Sequence, residues 1–542
     1  MKKNTFIQGT IITSLSLIFI KVLGALYVIP FYKIIGEDGG TLYSYAYNIY
    51  NLFLNITSVG IPIAISMIIS EYHTLKMYDA KERAYRVGKR TVALLAILSF
   101  LTIFIFAPTI AKFLISDISG GSNISDIVLA IRAISFCLLI IPFLSILRGY
   151  LQGNKFIAPT SISQVLEQVV RIAVVLVGAY IAIKVFKLPI AVGVAISLLG
   201  AFFGGLAAFI YLRIKVIKNK DQFPTSKERD DISNKALFFK IIKYCIPLII
   251  ISVVNDLYTI IDIKLIIKGL HMLGYSIKVG EVVSSIVATW APKICTIIIT
   301  IATALTTNII PHMVSSFVKK DMETTNKRFN QAISTMLYIT VPMSILLFLL
   351  ADKVYFLFYG VSDYGPIILK FSAISHIFVG VWTIINTCLQ SMKHFKIIYI
   401  NSIAGLLINA LLDIPLILLF DRVGFSPFVA AVVSTCIGCI VSITIVLIYL
   451  HKKEKFNYKF ILSILGKLLI PSLAIILPIV ICNHFIKFDY NYINVILSLC
   501  IYGIYGVLVY VILTYKNKLI DNVFGEDEIN KIISKFKKKK TS

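Results

Sequence analysis

The stretch from Arg148 to Arg171, RGYLQGNKFIAPTSISQVLEQVVR, decides how this sequence is interpreted, because it places charged side chains inside an otherwise apolar run. Pro159 stands in the first turn of a helix predicted to begin near Phe156, where a missing N–H costs little. One face of that helix carries four polar side chains at spacings of three and four, Gln164, Glu167, Gln168 and Arg171. The stretch therefore predicts a helix with a charged stripe.

The charged stripe lies deep if the helix crosses a membrane. A rise of 1.5 Å per residue carries Glu167 and Arg171 roughly 15 to 22 Å into a hydrocarbon core about 30 Å thick. Ionisable groups at that depth face a bundle interior or a water-filled cavity and mark transport paths. The alternative is that Glu167 and Arg171, one turn apart, pair with each other and only hold helices together.

Composition places the whole chain in a membrane. Of its 542 residues, 58% are hydrophobic and 15% are charged, and the mean hydropathy is +0.88, far from the values of soluble globular proteins. The net charge of +26 comes from short basic clusters between apolar runs. Such clusters report membrane topology, so no nucleic-acid partner is expected, whereas anionic lipids are expected partners of the basic tail.

Apolar windows long enough to span a bilayer recur along the chain and predict an all-α polytopic membrane protein with about fourteen transmembrane helices. They lie near residues 7–31, 42–70, 91–115, 127–150, 157–183, 189–212, 239–263, 289–317, 331–358, 366–391, 396–420, 427–450, 460–485 and 491–515. The first run is too long for a signal peptide and is predicted to stay as a helix. Basic residues follow the even-numbered helices, which predicts a bacterial cytoplasmic-membrane protein with both termini cytoplasmic.

Internal repetition divides the predicted helices. Leu151–Lys155 (LQGNK) after helix four resembles Leu389–Lys393 (LQSMK) after helix ten. We therefore predict two six-helix lobes, related by an axis along the membrane normal, with a binding site at their interface. The predicted parts are an N-lobe over 1–217, a cytoplasmic linker over 218–238, a C-lobe over 239–450, helices thirteen and fourteen over 451–515, and a cytoplasmic basic tail over 516–542.

Polar residues on several helices indicate a shared cavity. Helix two has a stripe with Asn48, Asn51 and Asn55, helix seven has Asp256 and Asp262, and helix eight has Lys293. Lys21 in helix one and Arg148 at the end of helix four add positive charge. A stripe of uncharged polar side chains alone is typical of hydrogen bonding between helices, but its combination with buried charge favours a transport pathway.

Three stretches carry a resemblance to a known family. They are GTIITSLSLIFIKVLGALYVIPF in helix one, GEDGGTLYSYAYNIYNLFLNITSVGIPIAIS through helix two, and LRGYLQGNKFIAPTSISQVLEQVVRI across helices four and five. The sequence resembles the MOP superfamily and, within it, the MurJ-type lipid II flippases of the Gram-positive branch, with the stage V sporulation protein B group as relatives. The resemblance implies a two-lobed, MATE-like carrier that moves the peptidoglycan precursor lipid II across the membrane by alternating access.

The resemblance also implies roles for residues. Lys21 stands where the family usually has a cavity arginine, and losing the guanidinium fork weakens its match to a diphosphate. The expected substrate-binding residues are Lys21, Asn48, Asn51, Asn55, Arg148, Gln164, Arg171 and Lys293. The expected ion-coupling residues are Glu167, Asp256 and Asp262. No catalytic residue, metal site or cofactor is expected, although coupling to H⁺, Na⁺ or the membrane potential is compatible with these carboxylates.

Three alternatives remain open. A flippase for another polyprenyl-linked polysaccharide or for a spore-cortex precursor would share this layout. A MATE-like drug antiporter would have an acidic cavity, whereas this one leans basic. A membrane glycosyltransferase would need a catalytic acid near the outer surface. No GxxxxGK[ST] loop is present, which argues against direct use of ATP.

Overall fold

The computed structural model describes residues 6–58, 60–115, 122–223, 230–306, 309–485 and 491–524. Within these ranges the chain is helical and contains no strand. The predicted all-α polytopic membrane class is thus confirmed. The chain divides into two compact units, the first made of the residues up to Trp290 together with Ile417–Arg422, the second of the remainder. The tail predicted over 516–542 lies outside the described residues beyond 524.

The first unit contains eleven helices among its described residues. They are α1 (Phe6–Leu26), α2 (Val28–Ser58), α3 (Gly60–Thr74), α4 (Tyr78–Ile115), α5 (Ile124–Ser135), α6 (Ile141–Gly153), α7 (Ile157–Tyr180), α8 (Ile190–Leu198), α9 (Gly200–Ile217), α10 (Asn234–Met272) and α11 (Ile277–Ser285). A π-helical turn, Ile286–Trp290, extends α11. Helix α7, which carries the charged stripe, packs against α1 and α9.

The second unit contains the later helices. They are α12 (Ala291–Thr306), α13 (Ile309–Val318), α14 (Met322–Leu349), α15 (Ala351–Tyr359), α16 (Gly365–Ser391), α17 (Phe395–Arg422), α18 (Ala430–Glu454), α19 (Lys459–Phe485), α20 (Tyr492–Lys516) and α21 (Leu519–Phe524), with the last turn of α17 assigned to the first unit. In its interior, α14 packs against α16 and α19.

The number of membrane spans agrees with the prediction. Among the described residues, 13 helical segments are long and apolar enough to cross a membrane, and α1 adds the shorter apolar segment Leu15–Leu26. The break between helices one and two falls at Gly36, inside the predicted connection 32–41, where a φ of 67° interrupts the helical backbone within α2. Glycine has no Cβ and adopts this left-handed φ without the steric cost that other residues incur.

The predicted start of helix eight is wrong. It was expected at residue 289, but the span begins at Ile277 and continues to Thr303. The segment Ile277–Ser285 contains Lys278 and Glu281, which lower its hydropathy. A helix satisfies its own backbone hydrogen bonds, so it continues through such polar positions where a hydropathy window stops.

The two copies of the repeated motif end their helices in the same way. Lys155 and Lys393 both adopt left-handed backbone conformations, with φ of 66° and 60°. The N–H that follows each lysine donates to the carbonyl of Leu151 or Leu389, over 2.9 Å in both cases. This pattern closes the carbonyl end of a helix. The copies thus share a local geometry, while the division into lobes at a 218–238 linker stays a prediction.

Candidate functional site

Glu167 lies between two arginines. Its Oε2 is 2.9 Å from Nη2 of Arg148, and its Oε1 accepts a hydrogen bond of 3.1 Å from Nη2 of Arg171. The side chains of Arg148, Glu167 and Arg171 keep 13%, 15% and 25% of their exposure. The contact between Glu167 and Arg171 that the alternative interpretation described is present in this conformation, and Arg148 makes it a triad that joins α6 to α7.

Hydrogen bonds fix the arginine of α6. Arg148 Nε donates to Ser163 Oγ over 2.9 Å, and the Ser163 hydroxyl donates to the Thr160 carbonyl over 2.6 Å. Ser163 thus connects the guanidinium to the first turns of α7. A guanidinium held at both Nε and Nη has little rotational freedom, so the triad is preorganised.

Glycines of α9 bring that helix into contact with the backbone that carries the triad. A Cβ added at Gly204 would lie 2.5 Å from the backbone oxygen of Glu167, and one added at Gly200 would lie 2.9 Å from that of Arg171. Any side chain at Gly204 would push α9 away from α7. The pair Gly200 and Gly204 acts as a small-residue packing motif between α9 and α7.

The triad carries an excess of positive charge. Two guanidinium groups face one carboxylate, and the buried Nε of Arg171 has no hydrogen-bond partner among the described residues. Tyr43, Tyr47 and Tyr50 of α2 are linked by contacts between their rings, and α2 packs against α7, the helix of Arg171. A guanidinium with an unused donor, in a partly buried setting, can bind an anionic oxygen such as that of a phosphate.

The polar stripe of α2 bonds to neighbouring helices. Asn48 donates to Thr289 Oγ1 over 2.9 Å, and Ser44 Oγ lies 2.6 Å from the same hydroxyl. Asn55 donates to Asp256 Oδ2 of α10 over 2.7 Å. In this conformation, two of the three predicted asparagines therefore hold helices together, which is the role typical of such stripes.

The structure does not join the other predicted residues of the first unit to the triad by hydrogen bonds or ion pairs. Lys21 is exposed on α1, while Asn51 and Gln164 are half-buried. None of these three makes a hydrogen bond or ion pair within the described part of the chain. Asp262 is buried in α10, with 6% of its surface exposed. Their roles in binding and ion coupling remain predictions.

Lys293, the remaining predicted residue, belongs to the second unit. It lies in the first turn of α12 and is half-buried. Its predicted role as a cavity cation also remains a prediction. Across the described residues of both units, no group of three or more His, Cys, Asp or Glu side chains is placed to hold a metal ion.

Sequence reasoning missed two features of this site. Ser163 was not singled out, although it lies four residues before Glu167 and so shares its helical face. The tyrosines of α2, at 43, 47 and 50, follow the spacing of three and four that places side chains on one face. That spacing was a readable signal, but aromatic stripes in membrane helices are common and do not by themselves indicate a site.

Comparisons with known proteins agree with this architecture. Residues 6–272 match the family model described as "Polysaccharide biosynthesis protein". The chain is 28% identical over 536 residues to the lipid II flippase MurJ of Bacillus subtilis strain 168, covering 96% of this chain and 97% of that protein. The alignment thus spans nearly the whole length of both chains.

Solved structures share the fold. One is the lipid II flippase MurJ in an inward closed conformation, with a TM-score of 0.64 and 18% identity, covering 94% of this chain and 100% of the other. Another is a MATE family multidrug resistance transporter of the MOP superfamily in an inward-facing conformation, with a TM-score of 0.63 and 13% identity, covering 83% and 99%. At these identities the likeness concerns the fold.

Proposed function

We propose that the chain is a MurJ-type member of the MOP superfamily and a flippase for a lipid-linked oligosaccharide, namely the peptidoglycan precursor lipid II. The observation that carries the proposal is its relation, over almost its whole length, to a lipid II flippase. The protein would act as a carrier in a bacterial membrane, moving its cargo by alternating access without a chemical reaction.

The charged triad fits such a cargo physically. A polyprenyl diphosphate joined to a glycan has an anionic, polar head and a long apolar tail. Its carrier must present cations to the head within the membrane, where unpaired charges are costly. Arg171 has an unpartnered Nε among the described residues and shares a carboxylate with Arg148. We assign Arg171 the contact with the diphosphate, with Lys21 as a second cation.

The three carboxylates that were expected to couple transport to an ion have different surroundings. Glu167 already faces two guanidinium groups, which neutralise it without a bound cation. Asp256 has a neutral partner in Asn55, and Asp262 is buried. Asp256 and Asp262 are therefore the better candidates for taking up H⁺ or Na⁺, with each elementary charge worth about 2.3 kcal/mol per 100 mV of membrane potential.

A depletion experiment tests the proposed function. A bacterial strain that lacks its other flippases is made to depend on this chain, which is then depleted. We expect lipid II to accumulate on the inner leaflet, and re-expression of the chain to clear it. Accumulation of a different polyprenyl-linked glycan would assign the cargo to another polysaccharide. Unchanged lipid-linked precursors, with acquired sensitivity to cationic drugs, would instead favour a MATE-like antiporter.

A further inference from the structure

A cavity of about 300 Å³ lies in the first unit, and no residue of the triad lines it. It is bounded by the segments that precede or begin α5, α8 and α11 and by α2 just after its break at Gly36. In the predicted topology these four segments belong to the first four odd-numbered connections, whereas the basic clusters follow the even-numbered helices. The polar residues that line the cavity are Asp38, Ser122, Asn123, Asp126, Lys278 and Glu281.

Glu281 is the unusual member of this lining. Only 1% of its surface is exposed. Its Oε2 accepts two hydrogen bonds of 2.8 Å, from the backbone N–H and from the hydroxyl of Ser122. Its Oε1 is equally buried and has no hydrogen-bond partner among the described residues. Two donors thus fix the orientation of the carboxylate, and its second oxygen is left without the donor that buried polar atoms require.

The charges around the cavity favour a cation. Three carboxylates line it, Asp38, Asp126 and Glu281, against one ammonium, that of Lys278. Lys278 forms its ion pair with Asp38, over 3.0 Å, and both of these side chains are largely exposed. The one cation of the lining is therefore paired with a different carboxylate at the rim, and Glu281 forms no ion pair with a lining residue. A bound cation would offset the free-energy cost of burying this carboxylate.

The shape and chemistry of the cavity select the kind of cation. An inorganic ion such as Ca²⁺ needs six to eight oxygens at about 2.3–2.6 Å, and among the described residues no three Asp, Glu, His or Cys side chains, those of this lining included, are placed so that they could hold a metal ion. The cavity also has an apolar wall, formed by Leu42, Pro189, Ile190 and Ala191. An apolar wall beside a buried carboxylate matches an ammonium group carried on an alkyl stem.

We propose that this cavity binds an aminoalkyl group, with the ammonium donating to Oε1 of Glu281 and the alkyl stem lying against Leu42 and Ile190. A free alkylamine and the lysine-type side chain of a peptide share this chemistry. The site needs neither the triad nor a lipid-linked cargo, so it extends beyond the proposed transport function and does not depend on it.

Thermal denaturation of the purified full-length chain in detergent tests the site. The probes are n-butylammonium chloride and Nα-acetyl-lysine methylamide, with n-butanol and KCl as controls for the stem and for ionic strength. We expect both amines to raise the denaturation midpoint saturably, because a ligand that binds only the folded state stabilises it. If Nα-acetyl-lysine methylamide alone stabilises the protein saturably, the result supports the site and restricts its ligand to a peptide side chain.

Matched variants make the result specific. Glu281→Gln keeps an oxygen that can accept from Ser122 but removes the charge, so the amine effect should disappear. Glu71→Gln, at an exposed ion pair with Lys240, should leave it unchanged. Three results would each overturn the proposal. The amines could stabilise the Glu281→Gln variant as much as the unsubstituted protein, CaCl₂ could have a larger effect than the amines at matched ionic strength, or neither amine could have an effect.

Discussion

Replacing Glu167 by Gln should destabilise the protein by about 3 kcal/mol. The carboxylate makes two short contacts with guanidinium groups, and each charge-assisted hydrogen bond contributes about 1.5–3 kcal/mol. Breaking a fully buried ion pair costs about 3–5 kcal/mol. The three side chains keep between 13% and 25% of their exposure, and water then screens part of that cost. We therefore expect the lower end of the range.

The assay is unfolding by SDS in mixed micelles, followed by helical circular dichroism and extrapolated linearly to zero denaturant. The matched control is Glu71→Gln, which removes a carboxylate 2.7 Å from Lys240. Glu71 keeps 42% of its side-chain exposure, and exposed pairs contribute about 0–1 kcal/mol. The same acid-to-amide change should thus be nearly silent there.

A double-mutant cycle identifies the partners. Glu167→Gln with Arg171→Gln removes one anion and one cation, so the local net charge returns to that of the parent. We expect the double variant to lose less than the sum of the single losses, by about 1–3 kcal/mol. A Glu167→Gln loss below about 1 kcal/mol, or strict additivity with Arg171→Gln, would refute the triad as a stabilising element.

Three further outcomes are expected. Gly204→Ala should lower the free energy of unfolding by about 1–3 kcal/mol in the same assay, because the added Cβ would lie 2.5 Å from a backbone oxygen of α7. The control is Gly466→Ala, which should be nearly neutral because no atom lies within 4 Å of the added Cβ. Lys21→Arg should complement a flippase-depleted strain and Lys21→Gln should not, since a diphosphate requires the charge; complementation by the Gln variant would exclude Lys21 from the site. Cysteine at Lys187 should react with an impermeant thiol reagent added outside intact cells and cysteine at Lys393 only after permeabilisation, and the reverse pattern would invert the predicted topology.

Hydropathy and sequence motifs predicted much of the fold. Apolar windows located the helices from residue 366 onward to within a few residues, as for the window 366–391 against α16, Gly365–Ser391, but the window 331–358 was nine residues late for α14, Met322–Leu349. They misplaced the start of the span from Ile277 because its first turns are polar. Pro159 and the polar spacing after it predicted α7 correctly, which begins at Ile157. Both successes concern properties that a single helix expresses alone.

By itself, the sequence determined that the protein is helical, that it spans a membrane many times, and that Glu167 and Arg171 share a helical face, because hydropathy and helical spacing are local properties of the chain. Only the tertiary structure decided that Arg148 completes the triad and that Ser122 orients Glu281. These pairs join residues of different segments of the chain, and their contact depends on how the helices and their connections pack. Close packing at Gly200 and Gly204 sets that geometry for α7, and a one-dimensional pattern does not encode which distant side chain meets which.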